Sequence, residues 1–96
     1  MDAMADPNAR RVDEEIDLET KRLDLALGAE LRGLRSKRGL SQDELAKTSG
    51  IGKRTLVRIE QGERAMTTTQ LYKICRALGI KPSRLIDAVE VEIGID

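Results

Sequence analysis

The chain has 96 residues, which is enough for one compact domain but not for two. Its apolar residues are almost all aliphatic, with Tyr72 as the single aromatic, and 17 Lys and Arg residues balance 17 Asp and Glu residues. We therefore expect a small aliphatic core. One cysteine, Cys75, excludes an internal disulfide and is typical of a reducing compartment. Neither a membrane-spanning apolar run nor a secretory leader is visible in the sequence, so we expect a cytoplasmic protein.

The zero net charge conceals a segregation of charge along the chain. Residues 27–86 hold 13 Lys and Arg against five Asp and Glu, a net charge of +8. Residues 1–26 and residues 87–96 each have a net charge of −4. A basic middle of this kind attracts polyanions, a property that the overall isoelectric point hides.

The first 38 residues divide into a tail and a long helical pattern. Residues 1–11 have no apolar periodicity and contain Pro7, so we expect them to be disordered. Residues 12–38 are expected to be helical, because their apolar residues recur at helical steps. Residues 12–26 either pack on the domain or on a second subunit or continue as a solvated helix. The apolar residues that follow helical steps are Val12, Ile16, Leu23, Leu27, Leu31 and Leu34.

Residues 41–62 predict two short helices joined by a tight turn. Ser41 and Glu44 have the spacing of a capping box, which starts a helix, and Gly50 supplies the positive φ that ends it. A second helix is expected from about Lys53 to Gln61.

The segment after residue 62 predicts two more helices. Thr67 is a suitable cap for a helix over about 68–78, and Gly79 ends it. Pro82 opens a short fifth helix that runs through Ile86. The elements together predict an all-α, five-helix orthogonal bundle.

Residues 88–96 change period. Val89, Val91, Ile93 and Ile95 alternate with acidic residues and a glycine, a pattern that indicates a half-buried strand. Since a helical bundle offers no sheet edge, this tail is either disordered or paired with its copy in a second subunit, and we expect pairing.

The residues L-S-Q-D-E-L-A, then Gly50, then T-L-V-R-I-E-Q-G resemble the helix-turn-helix of the phage repressor and Cro family of Xre-type regulators. The similarity extends from about Leu27 to Ile86, which implies that residues 27–38 are the first helix of the domain and that residues 12–26 extend beyond the family's minimal unit. It implies a lambda-repressor-like fold that binds DNA and regulates transcription. It also implies a structural salt bridge between Arg35 and Glu60. Gly52 departs from the pattern, because the family usually has a Ser or Thr cap there.

Helix geometry places Lys53, Arg54 and Arg58 on the outer face of the second helix of this motif. In a helix-turn-helix that helix enters the major groove, where Arg can donate two hydrogen bonds to guanine. We therefore expect Arg54 and Arg58 to read bases and Lys53 to read a base or bind a phosphate. A merely solvated cationic face is the alternative. The resemblance implies a phosphate contact at Gln42, and the further candidate phosphate contacts are Thr55, Gln61, Arg64 and Thr68. Arg10 and Arg11 are either part of a frayed tail or an arm that reaches a DNA groove.

Catalysis has little support in the sequence. The chain has no histidine and one cysteine, so it lacks a nucleophile and base pair, a Cys/His metal set and a phosphate-cradling glycine loop. Cys75 is expected to be a buried apolar residue. We expect no enzyme activity and no cofactor.

The residues and the resemblance together predict a sequence-specific transcriptional regulator. We expect a repressor that binds double-stranded DNA as a homodimer at an inverted repeat. The expected domains are a tail and helical extension over 1–26, a helix-turn-helix domain over 27–87 and a dimerising strand over 88–96. The alternative is a protein-interaction module, such as the antitoxin of a toxin pair or an adaptor, that binds a partner through its acidic ends.

Overall fold

A computed structural model describes the backbone of residues 7–94 and the side chains of residues 12–94. Five α-helices follow one another: α1 Pro7–Lys37, α2 Gln42–Ser49, α3 Lys53–Glu60, α4 Thr68–Leu78 and α5 Pro82–Ile93. The predicted all-α, five-helix fold is confirmed, and no strand occurs within residues 7–94.

Helix α1 is one continuous helix of 31 residues that includes both the extension and the first helix of the domain. It begins at Pro7, a position where the missing proline N–H removes no helical hydrogen bond. The prediction of disorder was therefore wrong for the backbone of residues 7–11, while residues 1–6 and the side chains of Arg10 and Arg11 lie outside the described residues. Residues 12–22 are exposed, and burial begins at Leu23. Most of the extension thus does not pack on its own domain.

The predicted helix ends are present. The Ser41 hydroxyl accepts the backbone N–H of Glu44, and the Glu44 carboxylate accepts the N–H of Ser41, each at 3.0 Å. Gly50 has a φ of 73°, which a residue with a side chain adopts only at a cost. A second capping box joins Thr67 and Gln70 at the start of α4. Gly52, by contrast, begins α3 without a side-chain cap. These local contacts make the chain turn sharply between α2, α3 and α4.

The core is small and aliphatic, as expected. All five helices contribute to the core, although the exposed part of α1 does not. Cys75 is one of the core residues and has no exposed area. Burial raises the pKa of the Cys75 thiol, which favours the neutral and unreactive form. The buried apolar residues are Leu27, Leu31, Leu45, Ile51, Leu56, Ile59, Ile74, Cys75, Leu78, Leu85 and Val89.

The strand predicted over residues 88–96 was wrong. Residues 88–93 continue α5, which ends at Gly94 with a φ of 76°, and residues 95–96 lie outside the described residues. Leu85 and Val89 are fully buried one turn apart, whereas Val91 is 81% exposed. Where every second residue is apolar, every fourth residue is apolar as well. The same alternating row can therefore supply the apolar face of a helix. Packing on α1 selects the helix.

Candidate nucleic-acid interface

Helix α3 separates an apolar face from a cationic one. Leu56 and Ile59 are buried, whereas Lys53, Arg54 and Arg58 are exposed. The side chains of Lys53 and Arg58 are 55% and 48% exposed. Since the apolar residues fix the rotation of the helix, the three cations face solvent as predicted.

Close contact with α1 fixes the carboxyl end of α3. A Cβ added at Gly28 would lie 2.4 Å from the carbonyl oxygen of Ile59 and 2.6 Å from that of Glu60. Only glycine therefore allows the two backbones to approach this closely. At the next turn, a Cβ at Gly62 would lie 2.8 Å from the Cα of Leu25. Helix α1 is thus the platform that sets the position of α3.

A buried carboxylate joins α1, α2 and α3. Arg35 donates from Nε to Glu60 Oε2 at 2.7 Å and from Nη2 to Oε1 at 3.0 Å, and its Nη1 donates to the Leu40 carbonyl at 2.8 Å. Gln42 Nε2 donates to Glu60 Oε1 at 3.2 Å. The hydrogen bonds to Glu60 raise the pKa of Arg35 above its ordinary value. The ion pair that the resemblance implies is therefore present, and Gln42 reinforces it.

Two of the three α3 cations take part in surface ion pairs. Lys53 Nζ lies 3.0 Å from Asp43 Oδ1, and Arg58 Nε lies 3.9 Å from Glu63 Oε2. Among the described residues, Arg54 has no acidic side chain within ion-pair distance. Exposed pairs contribute only about 0–1 kcal/mol, so an anion at this face can displace them at small cost.

The candidate phosphate contacts occupy helix ends and loops around α3. Thr68 opens α4, and Arg64 lies in the loop before it; both are exposed, as is Gln61 at the end of α3. Thr55 and Gln42 are half-buried. Gln42 has a second amide N–H beyond the one that it donates to Glu60, and this donor suits a phosphate.

Sequence reasoning missed two features of this site. The Asp43–Lys53 ion pair forms because α2 and α3 cross, which the sequence does not specify. The sequence indicated only that Asp43 stands at the start of a helix. The tight approach at Gly28 was signalled by a glycine within a helical pattern, which usually has a packing reason. The approach at Gly28 fixes α3 against α1, whereas the exposed Asp43–Lys53 pair is a weak contact between α2 and α3.

Other kinds of site find no counterpart in the described part of the chain. No group of three His, Cys, Asp or Glu side chains is placed to hold a metal ion there. Each helix of that part is too short or too polar to cross a membrane.

Comparison with known proteins agrees with this geometry. Residues 26–88 match a family described as a helix-turn-helix domain. The uncharacterized HTH-type transcriptional regulator y4dJ of Sinorhizobium fredii (strain NBRC 101917 / NGR234) is 33% identical over 60 residues, covering 62% of this chain and 78% of that protein. The control protein C.BamHI of Bacillus amyloliquefaciens is 33% identical over 69 residues, covering 71% of this chain and 85% of the relative.

Solved structures show the same similarity. The restriction-modification controller protein C.AhdI of Aeromonas hydrophila superposes with a TM-score of 0.62 at 36% identity, covering 64% of this chain and 92% of that chain. The clp gene regulator ClgR of Corynebacterium glutamicum superposes with a TM-score of 0.67 at 31% identity, covering 70% and 86%. The chain therefore belongs to the helix-turn-helix domain family, within its repressor and Cro-like, Xre-type branch.

Proposed function

We propose that this protein is a sequence-specific DNA-binding transcriptional regulator, a repressor that binds an inverted-repeat operator as a homodimer. One observation carries the proposal. Helix α3 exposes Lys53, Arg54 and Arg58 on one side, and the Arg35–Glu60–Gln42 cluster fixes its other side. A helix that is rigidly held and cationic on its free face suits insertion into the major groove.

Arg54 is the side chain that we assign first to base reading. It lies in the first turn of α3, and the first turn of a recognition helix points at base edges. No ion pair among the described residues holds it, so its guanidinium is available to donate two hydrogen bonds to one guanine. A correct pair of this kind discriminates by about 1–3 kcal/mol.

Lys53 and Arg58 complete the reading face. On binding, Lys53 leaves its weak surface ion pair with Asp43 and contacts DNA instead. Arg58 leaves its pair with Glu63 in the same way. Arg58 reads a base, and Lys53 contacts a base or a phosphate. The phosphate contacts come from Gln42, Thr55, Gln61, Arg64 and Thr68, which hold the domain in register on the duplex.

The names of the relatives support regulation of transcription, since they are a transcriptional regulator, restriction-modification control proteins and a clp gene regulator. A domain that reads a few bases gains specificity by pairing with a copy of itself. The operator of such a homodimer has two half-sites about one helical turn, ~34 Å, apart.

The test is selection of bound duplexes from a random DNA pool at moderate salt. The wild-type protein is expected to enrich an inverted repeat. The triple variant Lys53→Ala, Arg54→Ala, Arg58→Ala is expected to lose this enrichment. A charge-matched triple variant keeps it, because it removes three exposed cations that lie outside α3: Lys21→Ala, Arg22→Ala and Lys47→Ala.

The outcomes separate the possible roles of this surface. Equal loss in both triple variants would show that general charge, not α3, carries binding. No enrichment by the wild-type protein would favour a protein-interaction module that uses the acidic ends. If Arg54→Ala alone keeps the sequence preference and lowers only the salt dependence, Arg54 contacts a phosphate and our assignment to a base is wrong.

A further inference from the structure

A groove lies between α4 and α5, and none of the residues that line it is among those assigned to DNA. It has a volume of about 430 Å³ and an apolar floor to which Ile80 and Pro82 contribute. Tyr72, which is 55% exposed, forms one wall. We call it the α4–α5 groove; it is lined by Tyr72, Cys75, Arg76, Gly79, Ile80, Lys81 and Pro82.

The rim of the α4–α5 groove is cationic. Two adjoining hollows share Lys81 and Arg76 with it and add Arg38, Arg84 and Lys73 to the same surface. No Asp or Glu lines the groove or these two hollows. The surface therefore combines exposed apolar groups with five cations, which favours an amphipathic partner of negative charge.

The exposed extension of α1 has the complementary composition. The exposed residues 12–22 carry five Asp and Glu, all within residues 12–19, against Lys21 and Arg22, a net charge of −3. Val12 and Ile16 are one turn apart and are 52% and 49% exposed. On a helix, Glu15 and Glu19 flank this apolar edge on one side, and Asp13 and Asp17 flank it on the other.

The extension cannot cover its apolar edge with its own domain. Helix α1 is continuous, and Val12 lies about 16 Å along the axis from Leu23, the first residue that meets the core. Two extensions that paired with each other would bring five carboxylates against five. A second copy of the chain, however, offers a groove that has apolar lining residues and a rim of opposite charge.

We propose that the α1 extension of one copy binds in the α4–α5 groove of a second copy, so that two chains exchange extensions. Val12 and Ile16 then contact Tyr72, Ile80 and Pro82. The flanking carboxylates of the extension face the five cations of the rim. This inference uses the homodimer of the proposed function but not its binding to DNA, and no residue of α3 takes part in it.

Cross-linking tests this arrangement in the absence of DNA. The full-length Ile16→Cys and Ile80→Cys chains are mixed, oxidised and separated on a non-reducing gel, and the linked peptides are identified by mass spectrometry. Both chains also carry Cys75→Ala, because native Cys75 is buried but lines the same groove as Ile80 and would compete for the introduced thiol. The expected product is a mixed dimer linked between positions 16 and 80. Links between two Ile16→Cys chains alone, or no link in a protein that sedimentation shows to be dimeric, would overturn the proposal.

Charge exchange provides a second test that does not depend on thiol geometry. Glu15→Lys with Glu19→Lys is expected to weaken dimerisation about tenfold in sedimentation, and Lys81→Glu with Arg84→Glu is expected to do the same. The chain that carries all four changes is expected to regain most of the loss. Four changes that weaken dimerisation further would refute the pairing. A monomeric wild-type protein would refute both this arrangement and the homodimer. If the cross-link between positions 16 and 80 forms but the wild-type protein selects no DNA, only the proposed function is refuted.

Discussion

The buried carboxylate of Glu60 provides the sharpest energetic prediction. Its side chain is 1% exposed, and it accepts three hydrogen bonds, two from Arg35 and one from Gln42. We consider Arg35→Met, Glu60→Leu and the double variant, which replace the charged groups with apolar side chains of similar length.

The magnitudes follow from what each change leaves behind. Arg35→Met leaves a fully buried carboxylate with one remaining donor, Gln42, so we expect a loss of about 3–5 kcal/mol in the free energy of unfolding. Glu60→Leu leaves an Arg35 side chain that is 15% exposed and still bonded to the Leu40 carbonyl, so we expect about 2–3 kcal/mol. The double variant leaves no unpaired charge at this point and is expected to lose no more than about 3 kcal/mol. The coupling between the two positions is therefore at least about 2 kcal/mol.

Equilibrium unfolding in urea measures all three losses. A matched control is the cycle of Asp43→Leu and Lys53→Met, because that ion pair has a similar distance of 3.0 Å but side chains that are 69% and 55% exposed. Its coupling is expected to be below about 1 kcal/mol. If the losses at Arg35 and Glu60 add within about 0.5 kcal/mol, the two residues are not coupled and our reasoning on the cluster is wrong.

Three further predictions concern the packing and ends of helices. Gly28→Ala is expected to lower the free energy of unfolding, because the added Cβ would meet backbone oxygens. The control is Gly33→Ala, whose Cβ meets no atom within 4 Å and which should raise the free energy of unfolding by about 1 kcal/mol. Similar values for the two variants in urea unfolding would exclude the close approach of α1 and α3. Val89→Ala should lose about 1–3 kcal/mol and Val91→Ala less than about 0.5 kcal/mol, and equal losses would restore the strand that places both on one face. The backbone hydrogen bond at the start of α2 lowers the pKa of Glu44, so its contribution to stability is present above the ordinary carboxylate range and is lost as the pH falls through the lowered pKa. Thermal unfolding between pH 7 and 3 should show a steeper loss for the wild-type protein than for Glu44→Gln, and parallel curves would contradict this.

Local signals in the sequence were sufficient for most of the fold. The capping box at Ser41, the cap at Thr67 and the positive φ at Gly50 each depend on residues within one helical turn, so spacing alone predicts them. The outward placement of the α3 cations also follows from helical period. The Arg35–Glu60 pair spans 25 residues, and only the family resemblance indicated it.

The failures concern segments whose conformation depends on distant packing. The apolar residues of the tail satisfied both a two-residue and a four-residue repeat, and contact with α1 decided between them. Helix α1 begins at Pro7 although the first residues have no apolar period, because a helix can extend into solvent from a well-packed end. Likewise, the Asp43–Lys53 pair depends on the crossing of two helices, which spacing along the chain does not specify.

Because α1 is one continuous helix, the domain fixes both the position of the extension and its rotation about the helix axis. The helix is about 46 Å long, which accounts for most of the 51 Å length of the molecule. Each residue inserted between the exposed and buried parts would turn Val12 and Ile16 by about 100° about the axis and advance them by about 1.5 Å. The number of residues between the exposed and buried parts of α1 therefore sets the direction in which Val12 and Ile16 face. Insertions of one or two residues would turn them away from that direction while leaving the composition of the extension unchanged.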